Sequence, residues 1–388
     1  MRNSLAGGTS GFSGVWLAIL FGTAMVAGSG MAEQTGQLEK ATASVYGYVK
    51  MDAVWDDSMI MPGNYATYVA DEDKAPNRDE FLVTARETRL GARIAGGGSE
   101  GVEAMGTVEG DFYGGTLENK SNVMLRHAFL EVSWPGKGVS LIAGQTWDLV
   151  GPLNPSVLNY SVMWCSGNVG YRRPQLRVTK TMSICSDQRV ELAVAAARTI
   201  VETGLLNSGF PTGQARVGYA GVLPGGRKVA IGVSGHYGEF MGDPGDGRLN
   251  SFQTWSVVGD FTMFLVAGVS LKGELWSGEN LEAYQGGVGQ GILNAASKCI
   301  GASGGWVMVD SGIGPWTLGL GCGLDDPRNG NLAAEGKARN GAVFGKVTYA
   351  ITQAVTCGLE VSHWETRYKD AAKDAESARV QGSMIYRF

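Results

Sequence analysis

Residues 377–388 read SARVQGSMIYRF, and this stretch decides the fold. Val380, Met384, Tyr386 and Phe388 share one parity, while Arg379, Gln381, Ser383 and Arg387 share the other. Successive strand side chains point to opposite faces, so this segment is a strand with one apolar and one polar face. The same alternation recurs upstream. In 85–95 (ARETRLGARIA), Glu87, Arg89 and Arg93 oppose Leu90, Ala92 and Ile94. In 264–276, Ser270, Lys272 and Glu274 oppose Leu265, Val269, Leu271 and Leu275.

About sixteen such segments follow residue 42, near 43–55, 82–95, 100–112, 122–134, 138–148, 168–181, 187–199, 212–223, 226–239, 250–261, 264–277, 300–310, 314–325, 339–351, 354–367 and 376–388. They are long for globular strands and suit tilted membrane strands of about 9–11 residues or more. Their connections alternate. Long ones lie near 56–81, 149–167, 200–211, 240–249, 278–299, 326–338 and 368–375. Tight ones lie at Gly96–Glu100, Pro135–Lys137, Met182–Ser186, Pro224–Gly226, Thr262–Met263, Ser311–Gly314 and Thr352–Gln353. Short periplasmic turns and longer outer loops mark outer-membrane barrels. The expected fold is therefore all-β: a transmembrane antiparallel β-barrel with both ends on the periplasmic side. Trp134, Trp255, Trp316 and Tyr386 are placed near strand ends, as interface girdles would be. A terminal Phe388 with Tyr386 two residues before it resembles the signal read by the outer-membrane insertion machinery.

The N-terminus agrees. Arg2 is followed by an apolar run from Val15 to Val26 and the small-x-small triplet Gly30-Met31-Ala32. This reads as a signal peptide over 1–32, too short to span a bilayer as a helix. Residues 33–42 (EQTGQLEKAT) are a short polar periplasmic segment, and 43–388 the barrel. The 60 Gly residues fit an all-β chain with many turns and show no collagen period. A net charge of -5 argues against a nucleic-acid partner. The five cysteines are odd in number and include no CxxC pair. Cys322 and Cys357 fall among apolar strand residues; Cys165 and Cys299 fall in outer loops, which leaves a bridge between them open.

Alternation places basic residues inward: Lys50, Arg89, Arg93, Arg173, Arg177, Arg216, Lys228, Lys272 and Lys346. Acids share the lumen: Asp52, Glu87, Glu103, Glu109, Asp111, Glu131, Glu191, Glu274 and Glu360. Many of these charges are expected to pair and stiffen the wall. The arginines of 86–93 and 172–177 stand out, because clustered guanidinium groups focus field on anions and match carboxylates. Loop 149–167 (LVGPLNPSVLNYSVMWCSG) is apolar for an exposed loop. It is either folded into the lumen as a constriction or an apolar rim at a subunit interface.

The segments VYGYVKMDAVWD at 45–56, ETRLGAR at 87–93, VEGDFYG at 108–114, LRHAFLEV at 125–132, LIAGQTWDLVGPLNPS at 141–156 and YRRPQLRVT at 171–179 resemble the DcaP-like porins of Gram-negative bacteria. The resemblance implies a sixteen-stranded barrel, a homotrimer, and passive uptake of small anions such as dicarboxylates. It also implies that Arg89, Arg93, Arg173 and Arg177 face the channel. Two features depart from the family: no heptads precede the first strand where the family commonly has a coiled coil, and the cysteines are unusual.

The leading function is thus passive diffusion of small hydrophilic, anionic solutes through an outer-membrane channel. The alternative is a structural or adhesive surface barrel with a loop-occluded lumen. An enzyme is not expected. The three histidines, His127, His236 and His363, are scattered, and no GxSxG, HExxH or Walker motif occurs. No cofactor or metal site is expected.

Overall fold

The computed structural model describes residues 41–75, 78–96, 98–115, 120–200, 205–242, 250–266, 268–293 and 298–388. The expected signal peptide and nearly all of the polar segment after it lie outside the described residues. From Thr42 onward the chain forms a closed antiparallel barrel. Its strands are β1 (Thr42–Asp56), β2 (Glu80–Thr84 and Arg89–Ala95), β3 (Glu103–Asp111), β4 (Met124–Trp134), β5 (Val139–Trp147), β6 (Arg172–Cys185), β7 (Gln188–Ala197) and β8 (Thr212–Val222). Then come β9 (Lys228–Gly242), β10 (Asn250–Val266), β11 (Val269–Glu279), β12 (Gly301–Ile313), β13 (Trp316–Pro327), β14 (Lys337–Ala350), β15 (Val355–Tyr368) and β16 (Ala375–Arg387). The short piece Leu205–Asn207 extends the ladder on the upper end of β9.

All sixteen expected segments are strands. One turn moves. The connection expected at Thr262–Met263 comes instead after Val266, at Gly268, because β10 runs on to Val266. The residues TMFLV contain nothing that reverses a chain, whereas Gly268 adopts φ +78°. Trp134, Trp316 and Tyr386 stand at periplasmic strand ends, but Trp255 stands inside β10.

Closure rests on β1, which pairs with β2 on one side and β16 on the other. Gly47 N donates to Phe388 O at 3.1 Å, and Phe388 N donates back to Gly47 O at 3.2 Å. Higher in the same seam, Arg379 Nε and Nη2 meet both carboxylate oxygens of Asp56 at 2.7 and 2.8 Å. The pair is fully buried. Removing one partner from such a pair typically costs about 3–5 kcal/mol, because the other charge stays buried. The C-terminal strand thus closes the sheet through its backbone and fixes the seam through its inward arginine.

The outer face is apolar. Val45, Phe81, Leu275, Leu320 and Met384 are all half or more exposed. That is the wrong side for a water-soluble core and the right side for lipid. The upper interior is filled by outer loops. Loop L1 (57–79) and loop L3 (148–171) pack Ile60, Ala66, Val69 and Met163 against Trp306, Met308, Phe344 and Trp364 of the wall. Loop L6 (280–300) packs Leu281 and Tyr284 against Val258 and Trp276.

Candidate functional site: the lumen and its arginines

Two bulges, on β2 and β4, concentrate charge inside. β2 is interrupted at 85–88, so the inward parity changes there. Thr84 and Arg86 point in above the break; Glu87, Arg89 and Arg93 point in below it, with Leu90 and Ile94 outside. On β4 the register slips between Glu109 and Gly110 of β3, which turns both Arg126 and His127 inward. An extra residue in one strand re-aims its neighbours in this way. Arg126 Nε donates to Glu109 at 3.0 Å and Nη1 to Asp111 at 2.7 Å. His127 Nδ1 lies 3.1 Å from Thr146 Oγ1, and its Nε2 lies 3.9 Å from Glu109.

L3 crosses the lumen. Leu153 N donates to Glu274 at 2.8 Å, and Leu158 N donates to Glu360 at 2.6 Å. Leu158 O accepts from Lys50 Nζ at 2.7 Å and from Gln381 Nε2 at 3.0 Å. Lys272 Nζ donates to Asn154 O at 3.1 Å and to Ser156 Oγ at 2.8 Å, and Tyr160 OH donates to Asp111 at 3.0 Å. The loop is thus tied to β1, β3, β11, β15 and β16. Of the two placements its sequence left open, the lumen is the one observed. Gly167 lets its backbone lie flat on the wall: φ is +117°, and a Cβ there would come 2.2 Å from Gly305 O. Val162, Met163 and Cys165 also adopt left-handed φ, which costs roughly 1–2 kcal/mol per residue for L side chains. Tight burial holds them there.

The cysteines report on this packing. Both Cys165 and Cys299 are free thiols, so the bridge left open by the sequence is not formed. Cys165 is buried in L3, and burial pushes its thiol up to about 12. Cys185 is exposed. In folded protein a soluble maleimide at neutral pH will therefore label Cys185 and spare Cys165, as read by peptide mass. Equal labelling of both would show that L3 is not seated in the barrel.

The expected lining residues separate into two groups. Arg173 faces inward but does not reach the channel water, which corrects the expectation for it. It is 1% exposed, its Nε lies 2.7 Å from Asp148 Oδ1, and its guanidinium stacks on Tyr284 at 3.8 Å. L6 supplies that tyrosine, whose ring lies 3.9 Å from His236. Asp52 and Glu109 are likewise inward but covered, Asp52 by its bonds to Gln381 and Ser383 under L3 and Glu109 by Arg126. Lys50, Asp111, Glu274 and Glu360 share that burial. Arg216 is held by both carboxylate oxygens of Asp260, and Lys272 lies 3.6 Å from Asp310. Lys346 also leans on Asp310, at 3.8 Å.

The other group keeps contact with solvent. Arg89 is partly exposed, 3.4 Å from Glu109 and 5.1 Å over the Tyr48 ring. Arg93 is exposed over the Tyr46 ring at 5.5 Å. Arg177 is half-buried, its Nε donating to Gln175 at 2.9 Å and its Nη2 to Trp147 O. Glu131 stands in the same cross-strand row as Arg177, with Ile142 between them. Glu191 is half-buried, while Glu103 and Lys228 are exposed at the periplasmic mouth.

Every strand contributes at least one buried side chain to the upper lumen. Lower in the lumen, Arg89 and Arg93 of β2 and Arg177 of β6 keep contact with solvent, with Glu103 and Glu131 on the strands between them. Although the clusters at 86–93 and 172–177 include two of them, alternation alone did not place inward Arg86, Arg126 and Arg172. The last lies between the Trp147 and Tyr171 rings, 4.7 Å from each. Their sequence signal was two polar residues in a row, as in RH and RR, where a strict strand would alternate.

No sequence-family model matches the chain, and no curated protein matches it in sequence. Solved structures do. The outer-membrane channel DcaP of Acinetobacter baumannii aligns over 90% of this chain and 97% of its own, with TM-score 0.73 and 18% identity. The anion-selective porin from Comamonas acidovorans aligns over 90% and 100%, with TM-score 0.60 and 10% identity. The trimer form of OmpT from Vibrio cholerae aligns over 90% and 99%, with TM-score 0.54 and 11% identity. The chain therefore has the closed antiparallel β-barrel fold of outer-membrane porins and is similar in architecture to the DcaP channel.

Proposed function

We propose that this barrel is a passive diffusion channel with a preference for small anions, of which dicarboxylates are the natural class. The observation that carries the reading is the uneven lumen. L3 is fastened to β1, β3, β11, β12, β15 and β16 in the upper lumen, and the solvent-contacting Arg89, Arg93 and Arg177 lie on β2 and β6. A passage along β2 to β6 would carry solutes past basic side chains at short range. Arg offers a planar fork to a carboxylate, and a pore needs such binding weak enough to release. Channel steps from purified protein in a planar bilayer, with reversal potentials favouring anions, test it.

A second reading also has an observation behind it. The upper lumen is packed with loop residues, which suits a structural or adhesive barrel whose lumen is blocked. Absence of channel steps in salt would favour that reading over the first. Neither reading assigns catalysis to the histidines: His127 and His236 each bond to hydroxyls of the wall.

The working form is proposed as a homotrimer embedded in outer-membrane lipid, exported by the signal peptide over 1–32. Tyr386 and Phe388 face outward at the periplasmic end and form the motif offered to the insertion machinery. Deleting Phe388 will lower the amount of barrel in the outer membrane severalfold, while protein refolded in detergent keeps its heat-resistant mobility. Normal surface levels of the deletion would refute the insertion role.

A further inference from the structure

The outer surface of β13 to β16 changes from apolar to polar as it rises. Outward positions form cross-strand rows set by the register. Near the periplasmic side the row is Trp316, Tyr349, Cys357 and Met384. Four residues higher on β13 comes an apolar row, Leu320, Gly345, Val361 and Val380. Above it the composition changes. The next row brings His363 beside Val343, and the following one joins Leu324, Gly341, Glu365 and Glu376. Arg339 and Arg367 face each other one row higher.

Height decides what this means. At ~3.3 Å per residue and ~40° tilt, His363 lies ~15 Å above the Trp316 row and the two arginines ~25 Å above it. The apolar band of such a barrel is about 25 Å tall, so the arginines stand at headgroup height and His363 within the band. A polar notch therefore descends into the apolar wall. His363 is 49% exposed there and Glu376 58%, with Nε2 and Oε2 3.8 Å apart.

Below the arginines the wall is grooved. Gly341 leaves the floor bare between Leu324 and Val343, and the groove of about 170 Å³ runs up to Arg339, His363 and Glu365. A Cβ at Gly341 would touch Leu324 Cδ1 at 3.3 Å, so a larger side chain there must occupy the groove. Arg339 gives only Nη2 to Glu365, at 2.5 Å. Arg367 is held to Asp374 by Nε, at 2.9 and 3.1 Å, and by Nη2, at 2.5 Å. The two carboxylates keep both guanidinium groups on the outer face.

We propose that this surface docks one phosphorylated lipid of the outer leaflet, with its phosphate at Arg339 and Arg367 and an acyl chain in the Gly341 groove. The order of the wall matches the ligand: cations at headgroup height, and directly beneath them a glycine-floored trough whose Leu324 and Val343 side is apolar. Guanidinium groups recognise phosphate through paired N–H donors, and Nε and Nη1 of Arg339 make no other hydrogen bond among the described residues. The site is independent of what passes through the lumen.

The test uses the full chain in detergent with diphosphoryl lipid A as the probe, read by native mass spectrometry. Wild-type protein will retain the lipid. Gly341→Leu, which fills the groove without changing charge, and Arg339→Ala will each lower retention by about tenfold. Leu318→Ala, elsewhere on the lipid face, will leave it unchanged. Heat-resistant mobility confirms that each variant is folded. Unchanged retention in both groove variants overturns the proposal. So does displacement of the lipid by millimolar inorganic phosphate, which would make this a site for the free ion. Subunit dissociation without lipid loss also overturns it, by making the face a contact between copies.

Discussion

Replacing Arg89, Arg93 and Arg177 together by Gln will lower the chloride-over-potassium permeability ratio by about fivefold or more, taking ~1 kcal/mol for a unit charge acting a few ångströms away through water. These three side chains keep contact with solvent, and they stand on one wall. Glutamine preserves length and polarity, so pore size changes little. The effect will shrink as salt rises from ~0.1 to ~1 M, where the screening length falls from ~10 to ~3 Å. Adding Arg173→Gln will change selectivity little further. Its guanidinium is sealed beneath Tyr284, and its loss leaves Asp148 buried without its partner. That fourth substitution will instead lower the unfolding temperature. Reversal potentials across a KCl gradient measure the first effect and thermal unfolding the second. A triple variant with the wild-type reversal potential would remove these arginines from any role in selection.

Replacing residues 152–167 with a short Gly/Ser linker will raise single-channel conductance by about threefold or more, because the obstacle across the pore is gone. The stems allow this. Gly151 and Val169 lie side by side, close enough that a Cβ on Gly151 would meet Val169 O at 2.1 Å. The barrel should survive, since its wall is closed by strand ladders that do not include the loop. Glu274, Glu360 and Lys50 would exchange loop partners for water. Unchanged conductance would mean that L3 does not set the passage, and the open side lies elsewhere or nowhere.

The wall was legible in the sequence because its information is local. Alternation with period two, glycine-rich turns and a terminal aromatic can each be read within a dozen residues, and every expected strand is present. The displaced turn at Gly268 shows the margin of that reading: residues 262–266 carry no breaker, so nothing local distinguished strand from turn. The interior was legible only in part. Parity told that Arg173 and Asp52 face inward, and they do. Whether an inward residue meets water depends on loops distant in the chain. Asp148 and Tyr284, which seal Arg173, come from L3 and L6, and no spacing around YRRPQLR announces them. Loop 149–167 was recognisable as too apolar for the surface, yet its partners Glu274 and Glu360 lie over a hundred residues away. Arg86, Arg126 and Arg172 were obscured for a different reason. Strict alternation assigns only one of two consecutive polar residues inward; a bulge breaks that rule at Arg86 and Arg126, whereas Arg172 breaks it at the first residue of β6 without a register shift.

The interruption of β2 has one more implication. A strand has a phase of two, and the break at 85–88 resets it once between Arg86 and Glu87. Straightening the strand at its present length would carry the upper phase downward through Ala95, turning Leu90 and Ile94 towards water and Arg89 and Arg93 towards hydrocarbon. Losing a single residue there would instead let one unbroken alternation keep those four side chains on their present faces. The extra residue is thus what lets Arg86 and Glu87, neighbours in the chain, both point into the lumen. Its loss would remove one of those two charges from the interior and leave the lower strand as it is.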